Sequence, residues 1–298
     1  MFTMYGFRKV AEGVYSYKGL QLLDTGGHII VFDTGYADEA YKLLEAIKDI
    51  GKDIRYIVIT HGHWDHWANI SILLKSRKKP LIIGHRNNPL NLIDVRFDEK
   101  YSIVSEGYVI ELYHMPGHSQ YGDDIVACTV IKEQKICFVG DLVQPIGTSY
   151  HECKDPLLIP LFYYPIEYIL SLAKLLELRP NILQNGHGIT WYGRDAVSAI
   201  LVTLHTVLAL IDFMKKNIKY DKETAIMNTY LDVARQRNAY EIASKRINQN
   251  AYDLLKESLV YQPDKISYFV NKTVFDIFDR PSLEAVYELV KSMYESAQ

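Results

Sequence analysis

Thr60-His61-Gly62-His63-Trp64-Asp65-His66 places three imidazoles and one carboxylate in a run of consecutive and alternate positions. It directly follows Ile54–Ile59, a β-branched run that reads as a buried strand. Imidazole nitrogen and carboxylate oxygen are both good donors to zinc and similar divalent ions. In an extended segment, side chains at i and i+2 point the same way, so His61 and His63 can reach one ion together. As the chain turns into the next predicted helix, Trp67–Leu74, Asp65 and His66 can swing toward a second ion. A histidine-rich surface loop has the same composition, but rarely sits at the end of a buried strand with this spacing.

Three further positions repeat the pattern of a polar side chain at a strand end. His118 lies in Met115-Pro116-Gly117-His118-Ser119 and His187 in Asn185-Gly186-His187-Gly188. The flanking glycines permit the sharp turn that presents a ligand. Asp141 ends the apolar run Phe138-Val139-Gly140-Asp141, where a carboxylate is costly unless it meets a cation or hydrogen-bond donors. Taken singly, each is a weak signal.

The order His-x-His-x-Asp-His, Gly-His-Ser, Gly-Asp and Gly-His-Gly resembles the metallo-β-lactamase superfamily over roughly residues 10–195. The resemblance implies an α/β fold, a four-layer αβ/βα sandwich with metal sites at one edge of two packed sheets. It implies that His61, His63 and His118 bind a first metal, that Asp65, His66 and His187 bind a second, and that Asp141 bridges them. Asp33, in Phe32-Asp33-Thr34-Gly35, matches an aspartate that orients the ligands from outside. The cofactors expected are two divalent metal ions, zinc first, with manganese or iron open because the same donors suit all three. The expected activity is hydrolysis of a thioester, ester or lactone by a metal-bridging hydroxide, with Asp65 as proton acceptor. The alternatives are a phosphodiesterase or nuclease acting on RNA or DNA, and an iron-containing oxygenase of the same fold. An acid at position 141 disfavours antibiotic hydrolysis, since the resemblance puts cysteine or serine there in true β-lactamases. Gln144 stands where lactonases tend to carry tyrosine. Leu142–Gly147 lacks the arginine of glyoxalase II-like enzymes, and Trp67-Ala68-Asn69 replaces their usual glycine pair.

The rest of the chain bounds these readings. A formal net charge of −3 argues against a general nucleic-acid binder and favours a small-molecule substrate. The three cysteines include no Cys-x-x-Cys, which predicts no disulfide framework and a reduced, cytoplasmic setting. Cys128 and Cys137 can face each other across the predicted hairpin Ile125–Val139, as two buried thiols. No apolar run reads as long enough to cross a bilayer, and no signal peptide is recognised, so no membrane role is expected. The catalytic domain is placed at residues 1–197 and a mainly helical module, cap or winged-helix-like, at 198–298. Helices are predicted over Ala199–Met214, Glu223–Ala234, Ala239–Ser258 and Leu283–Tyr294, with a two-stranded wing within Leu259–Val270. The apolar helices offer a homodimer surface. In the long connection 142–164, Tyr150, His151, Tyr163 and Tyr164 are the candidates to reach a substrate. His85 is as well placed near the site as away from it. His28, His114 and His205 read as structural, His205 packed inside its helix.

Overall fold

The computed structural model describes residues 2–36, 39–148, 156–251, 253 and 268–296. Two units partition the chain, one of Met1–Leu142 with Leu170–Val197, the other of Val143–Ile169 with Ser198–Gln298. Residues 143–169 thus group with the C-terminal residues rather than with the sheets.

The first unit holds two mixed sheets. The first runs in sequence order through β1 (Arg8–Ala11), β2 (Val14–Tyr17), β3 (Leu20–Asp24), β4 (Ile29–Phe32), β5 (Ile54–Val58), β6 (Leu81–His85) and β7 (Val95–Phe97). From β4 onward its neighbours are parallel. The second has the order β13 (Thr190–Tyr192), β12 (Ile182–Gln184), β11 (Gln134–Phe138), β10 (Ile125–Ile131), β9 (Tyr108–His114) and β8 (Lys100–Ser105). Here only β11 and β12 are parallel.

A sheet covered on both faces needs strands that are apolar throughout, and β4 shows why. Ile30 and Phe32 join the core shared with Ile110, Leu112, Ile125 and Phe138 of the second sheet. Phe32 stacks on Phe138 at 3.7 Å between centroids. The alternate residues Ile29 and Val31 face the other way, against Leu43 and Ile47 of α1 (Glu39–Ile50) and against Ile70 and Leu73. Each such burial contributes roughly 1.5–3 kcal/mol relative to exposure. On the second sheet, Ser171 and Lys174 of α4 (Pro165–Glu177) donate to the carbonyls of Pro116 and His114, beside the end of β9.

Two expectations for this unit are corrected. The helix predicted over Trp67–Leu74 is two short pieces, α2 (Trp64–Trp67) and α3 (Ile70–Leu73). Asn69 separates them, because its side chain donates to Thr34 O at 3.2 Å and its own carbonyl starts the second turn. Cys128 and Cys137 are not two thiols. The hairpin register sets them directly opposite, Cα–Cα 4.2 Å, and their sulfurs are joined as a disulfide.

Among its described residues the second unit is helical from α5 (Arg194–Asn217) onward apart from short connections, and irregular over 143–148 and 156–164. It contains most of α5, then α6 (Lys222–Gln236), α7 (Tyr240–Asn248) and α8 (Arg280–Glu295). Asp221 caps α6 by accepting from the Thr224 N–H. Arg246 forms a two-point ion pair with Asp279 at 2.7 and 3.1 Å, and both are fully buried. Breaking one partner of such a pair costs about 3–5 kcal/mol. Gln144 is buried and accepts from the Leu161 N–H at 2.7 Å, so this position holds the chain rather than offering a hydroxyl.

Here too the expectations shift. Ala239–Ser258 is not one helix, since α7 ends at Asn248 and Gln249 is extended. Tyr268 and Phe269 are helical and Val270 is in a turn rather than a strand, and residues 259–267 of the expected wing lie outside the described residues. His205 is exposed, not packed. By length and composition alone α5 could cross a bilayer, contrary to the sequence reading; 44% of its most apolar window is buried.

Two measurements test these features. The denatured, unreduced protein should titrate one free thiol of its three cysteines; three would exclude the disulfide. His85 stacks on His114 at 3.8 Å and 10°, and burial, reinforced by the His114 charge, pushes its pKa down to about 4. The unfolded chain takes up that proton near 6.5 and the folded chain does not. Stability should therefore be complete above that pH and decline as pH falls toward 4. NMR should place the His85 midpoint near 4, and His85→Phe should flatten this part of the Tm–pH curve. A midpoint at 6.5 would refute it.

Candidate metal centre

Five strand ends meet at one edge of the two sheets. β4 leads into Asp33, β5 into His61, β9 toward His118, β11 into Asp141 and β12 into His187. Backbone bonds lock these ends together. Ile125 N–H donates to Thr60 O at 2.9 Å, joining the sheets, and Gly186 N–H donates to Gly140 O at 2.8 Å.

The structure brings all seven expected ligands together. His61, His63 and His118 form one group, Asp65, His66 and His187 another, and His61, His66 and Asp141 a third between them. His63 Nδ1 stands 3.0 Å from His61 Nε2 and 3.1 Å from His118 Nε2. Donors around one tetrahedral ion at 2.0–2.1 Å are about 3.3 Å apart, so this trio is spaced as ligands are. Asp65 Oδ2 lies 3.6 Å from His66 Nε2 and 3.7 Å from His187 Nε2. Asp141 spans the groups, its Oδ2 2.9 Å from His187 Nε2 and 3.8 Å from His118 Nε2. Its Oδ1 is buried without a hydrogen bond among the described residues, 3.6 Å from His66 Nε2.

The surroundings fix which nitrogen each imidazole presents. Asp33 accepts from Thr60 N–H, from Thr60 Oγ1–H and from His66 Nδ1–H, each at 2.7 Å. Because the Thr60 proton goes to Asp33, its oxygen is left to accept from His61 Nδ1 at 3.1 Å. His61 and His66 therefore both aim Nε2 inward. Asp33 achieves this with φ 57°, a left-handed conformation that aspartate tolerates better than most residues. Gly186 is needed for a different reason: a Cβ there would sit 2.9 Å from Asp141 Oδ1 and closer still to the His66 ring.

Electrostatics suit a cation. Burial, then the charges of its histidine neighbours, hold His61 and His63 well below the usual imidazole range, so both are neutral donors. His66 is the opposite case. Burial opposes its charge, yet Asp33, Asp65 and Asp141 together raise it well above the usual value. Asp141 is held well below the carboxylate range against its own burial, by His187 and His66. A position where three carboxylates converge on one imidazole can hold a divalent ion in place of the proton.

Of the expected substrate residues, Tyr150 and His151 lie outside the described residues, and Tyr163 and Tyr164 belong to the second unit. His85 belongs to none of the three donor groups; it stacks on His114 instead. His28 is structural, within 2.9 Å of Ser105 Oγ. Sequence reasoning passed over Thr60 and Asp124. Asp124 accepts from Gly117 N–H and Ser119 N–H, on either side of His118. An acid placed directly before the apolar run Ile125–Ile131 was the available signal.

A family model for the metallo-beta-lactamase superfamily matches residues 22–187, more than half of the chain. A beta-lactamase-like protein 2 homolog of Caenorhabditis elegans is 26% identical over 176 residues, covering 56% of this chain and 54% of that one. An atrochrysone carboxyl ACP thioesterase of Pseudocercospora fijiensis is 32% identical over 124 residues, 41% of this chain and 35% of that one. The chain spans about half the length, or less, of these curated relatives. The solved metallo-beta-lactamase from Pontibacter korlensis aligns with a TM-score of 0.52 at 20% identity, over 68% of this chain and 98% of that one. At that identity the likeness is one of fold.

Asp33→Asn keeps the size of the side chain but removes the charge facing His66. It should weaken zinc binding about 10–100-fold in a chelator competition assay, while the far-ultraviolet spectrum stays unchanged. Unaltered affinity would separate Asp33 from the ligands.

Proposed function

The chain belongs to the metallo-beta-lactamase superfamily, and on that premise we propose that it is a metal-dependent hydrolase of thioesters, esters or lactones with a binuclear centre. The observation that carries this reading is Asp141, an acid placed between the two donor groups within 2.9–3.8 Å of both. A relative named as a thioesterase supports the carbonyl class. When bound, two divalent ions, zinc best suited to these nitrogen and oxygen donors, supply Lewis-acid polarisation of a carbonyl and an acidified water.

The protein's own groups do the rest. His61, His63 and His118 hold the first position, with His61 oriented through Thr60. His66 and His187 hold the second with Asp65, and Asp33 fixes the His66 ring. Asp65 is the most exposed carboxylate of the set, at 21%, against 8% for Asp141 and 1% for Asp33. It is the group best placed to accept a proton from an incoming water and return it to the leaving group.

Metal-replete protein should turn over acyl thioesters or lactones, and His61→Ala should not. Asp65→Ala should lose at least 10²–10⁴-fold in kcat, roughly the contribution of a general base, while binding of the first metal equivalent is retained. Salt-sensitive cleavage of RNA or DNA that vanishes in His61→Ala, without carbonyl turnover, would overturn the assignment.

A further inference from the structure

Asp123 and Asp124 are adjacent, both buried, and neither belongs to the donor groups. They serve different segments. Asp124 Oδ2 accepts from Gly117 N–H at 3.0 Å and from Ser119 N–H at 2.9 Å, and its Oδ1 accepts from Ser119 N–H at 3.0 Å. The residues on both sides of His118 are thereby tied to one carboxylate. Asp123 Oδ2 accepts from Asn88 Nδ2 at 2.8 Å. Asn88 is itself held in place, accepting from Leu90 N–H at 3.1 Å and donating through its own N–H to His85 O. The two acids therefore fasten the His118 loop to the turn after β6.

That turn lies behind the other two ligands of the first group. His61 and His63 point toward the centre, so Gly62 between them turns its missing side chain the other way. A Cβ on Gly62 would sit 2.6 Å from Pro89 Cδ and 2.8 Å from Tyr121 Cδ2. Pro89 follows Asn88, and Tyr121 lies within the His118 loop, its N–H donating to Ser119 Oγ. On another side, Trp67 Nε1–H donates to Gly62 O at 3.1 Å. Gly62 is thus backed by the same two loops that the Asn88–Asp123 bond joins.

We propose that Asp123, Asp124 and Asn88 form a positioning unit for the first metal position, setting His118 directly and His61 and His63 through the backing of Gly62. The unit rests on the metal reading of the centre but not on the identity of the substrate. It acts on one donor group only, since Asp33 performs the corresponding task for His66.

The test is a zinc-binding titration that resolves two equivalents, run on wild type, Asn88→Ala, Asp123→Ala and Asp124→Ala, with melting temperatures recorded in parallel. Thr129→Ala, at a buried polar position in the middle of β10, is the control for destabilisation alone. Each variant of the unit should weaken one equivalent about 10–100-fold and leave the other within about threefold. Thr129→Ala should change Tm without changing either affinity. Should Asp124→Ala fail to fold, Asn88→Ala carries the test, because it removes only the partner of Asp123. Variants that lower Tm but bind both equivalents like wild type overturn the positioning role and leave the metal reading intact. A wild type that binds none of zinc, manganese and iron(II) overturns both.

Discussion

The carboxylate of Asp33 receives three hydrogen bonds from two neighbouring segments, the end of β5 and the short helix α2. A buried anion is expensive unless its oxygens are satisfied, and here the satisfying groups are Thr60, which steers His61, and His66 itself. The cost of burying Asp33 is thus offset only when the centre is assembled. The residue is 1% exposed and sits in a left-handed turn directly after β4, so neither its position nor its conformation leaves alternatives. One histidine of each half, His61 through Thr60 and His66 directly, is oriented by reference to it.

Around that anchor, two kinds of constraint divide the work. Charge governs the half containing His66, where Asp33, Asp65 and Asp141 converge. Sterics and backbone bonding govern the half containing His63 and His118, where Gly62 is backed by Pro89 and Tyr121 and the His118 loop is tied to Asp124. Close approach without a Cβ is needed on both sides, at Gly62 and at Gly186.

The candidate donors were legible because each combines an unusual residue with a strand end. His61, His63, Asp65 and His66 are dense in sequence, and His118, Asp141 and His187 follow apolar runs that the structure shows as β9, β11 and β12. What supports them was less legible. Asp123 and Asp124 carry no pattern beyond two acids before an apolar strand, and Asn88 looks like any turn residue. The break between α2 and α3 depends on Asn69 reaching Thr34, a partner distant in sequence. The Cys128–Cys137 bond followed from a hairpin whose strands were recognised; what was misjudged was the chemistry, since composition argued for thiols. In the C-terminal residues the expected periodicity gave helices, but no local pattern encodes a contact such as Arg246 with Asp279, 33 residues apart.

The strand order has a consequence for the chain while it is being synthesised. β9 and β12 lie in one sheet with β10 and β11 between them, and the donors they precede are far apart in the sequence. During synthesis, His61, His63 and His118 all leave the ribosome well before His187. A nascent chain therefore contains all three members of the first donor group while the second still lacks His187.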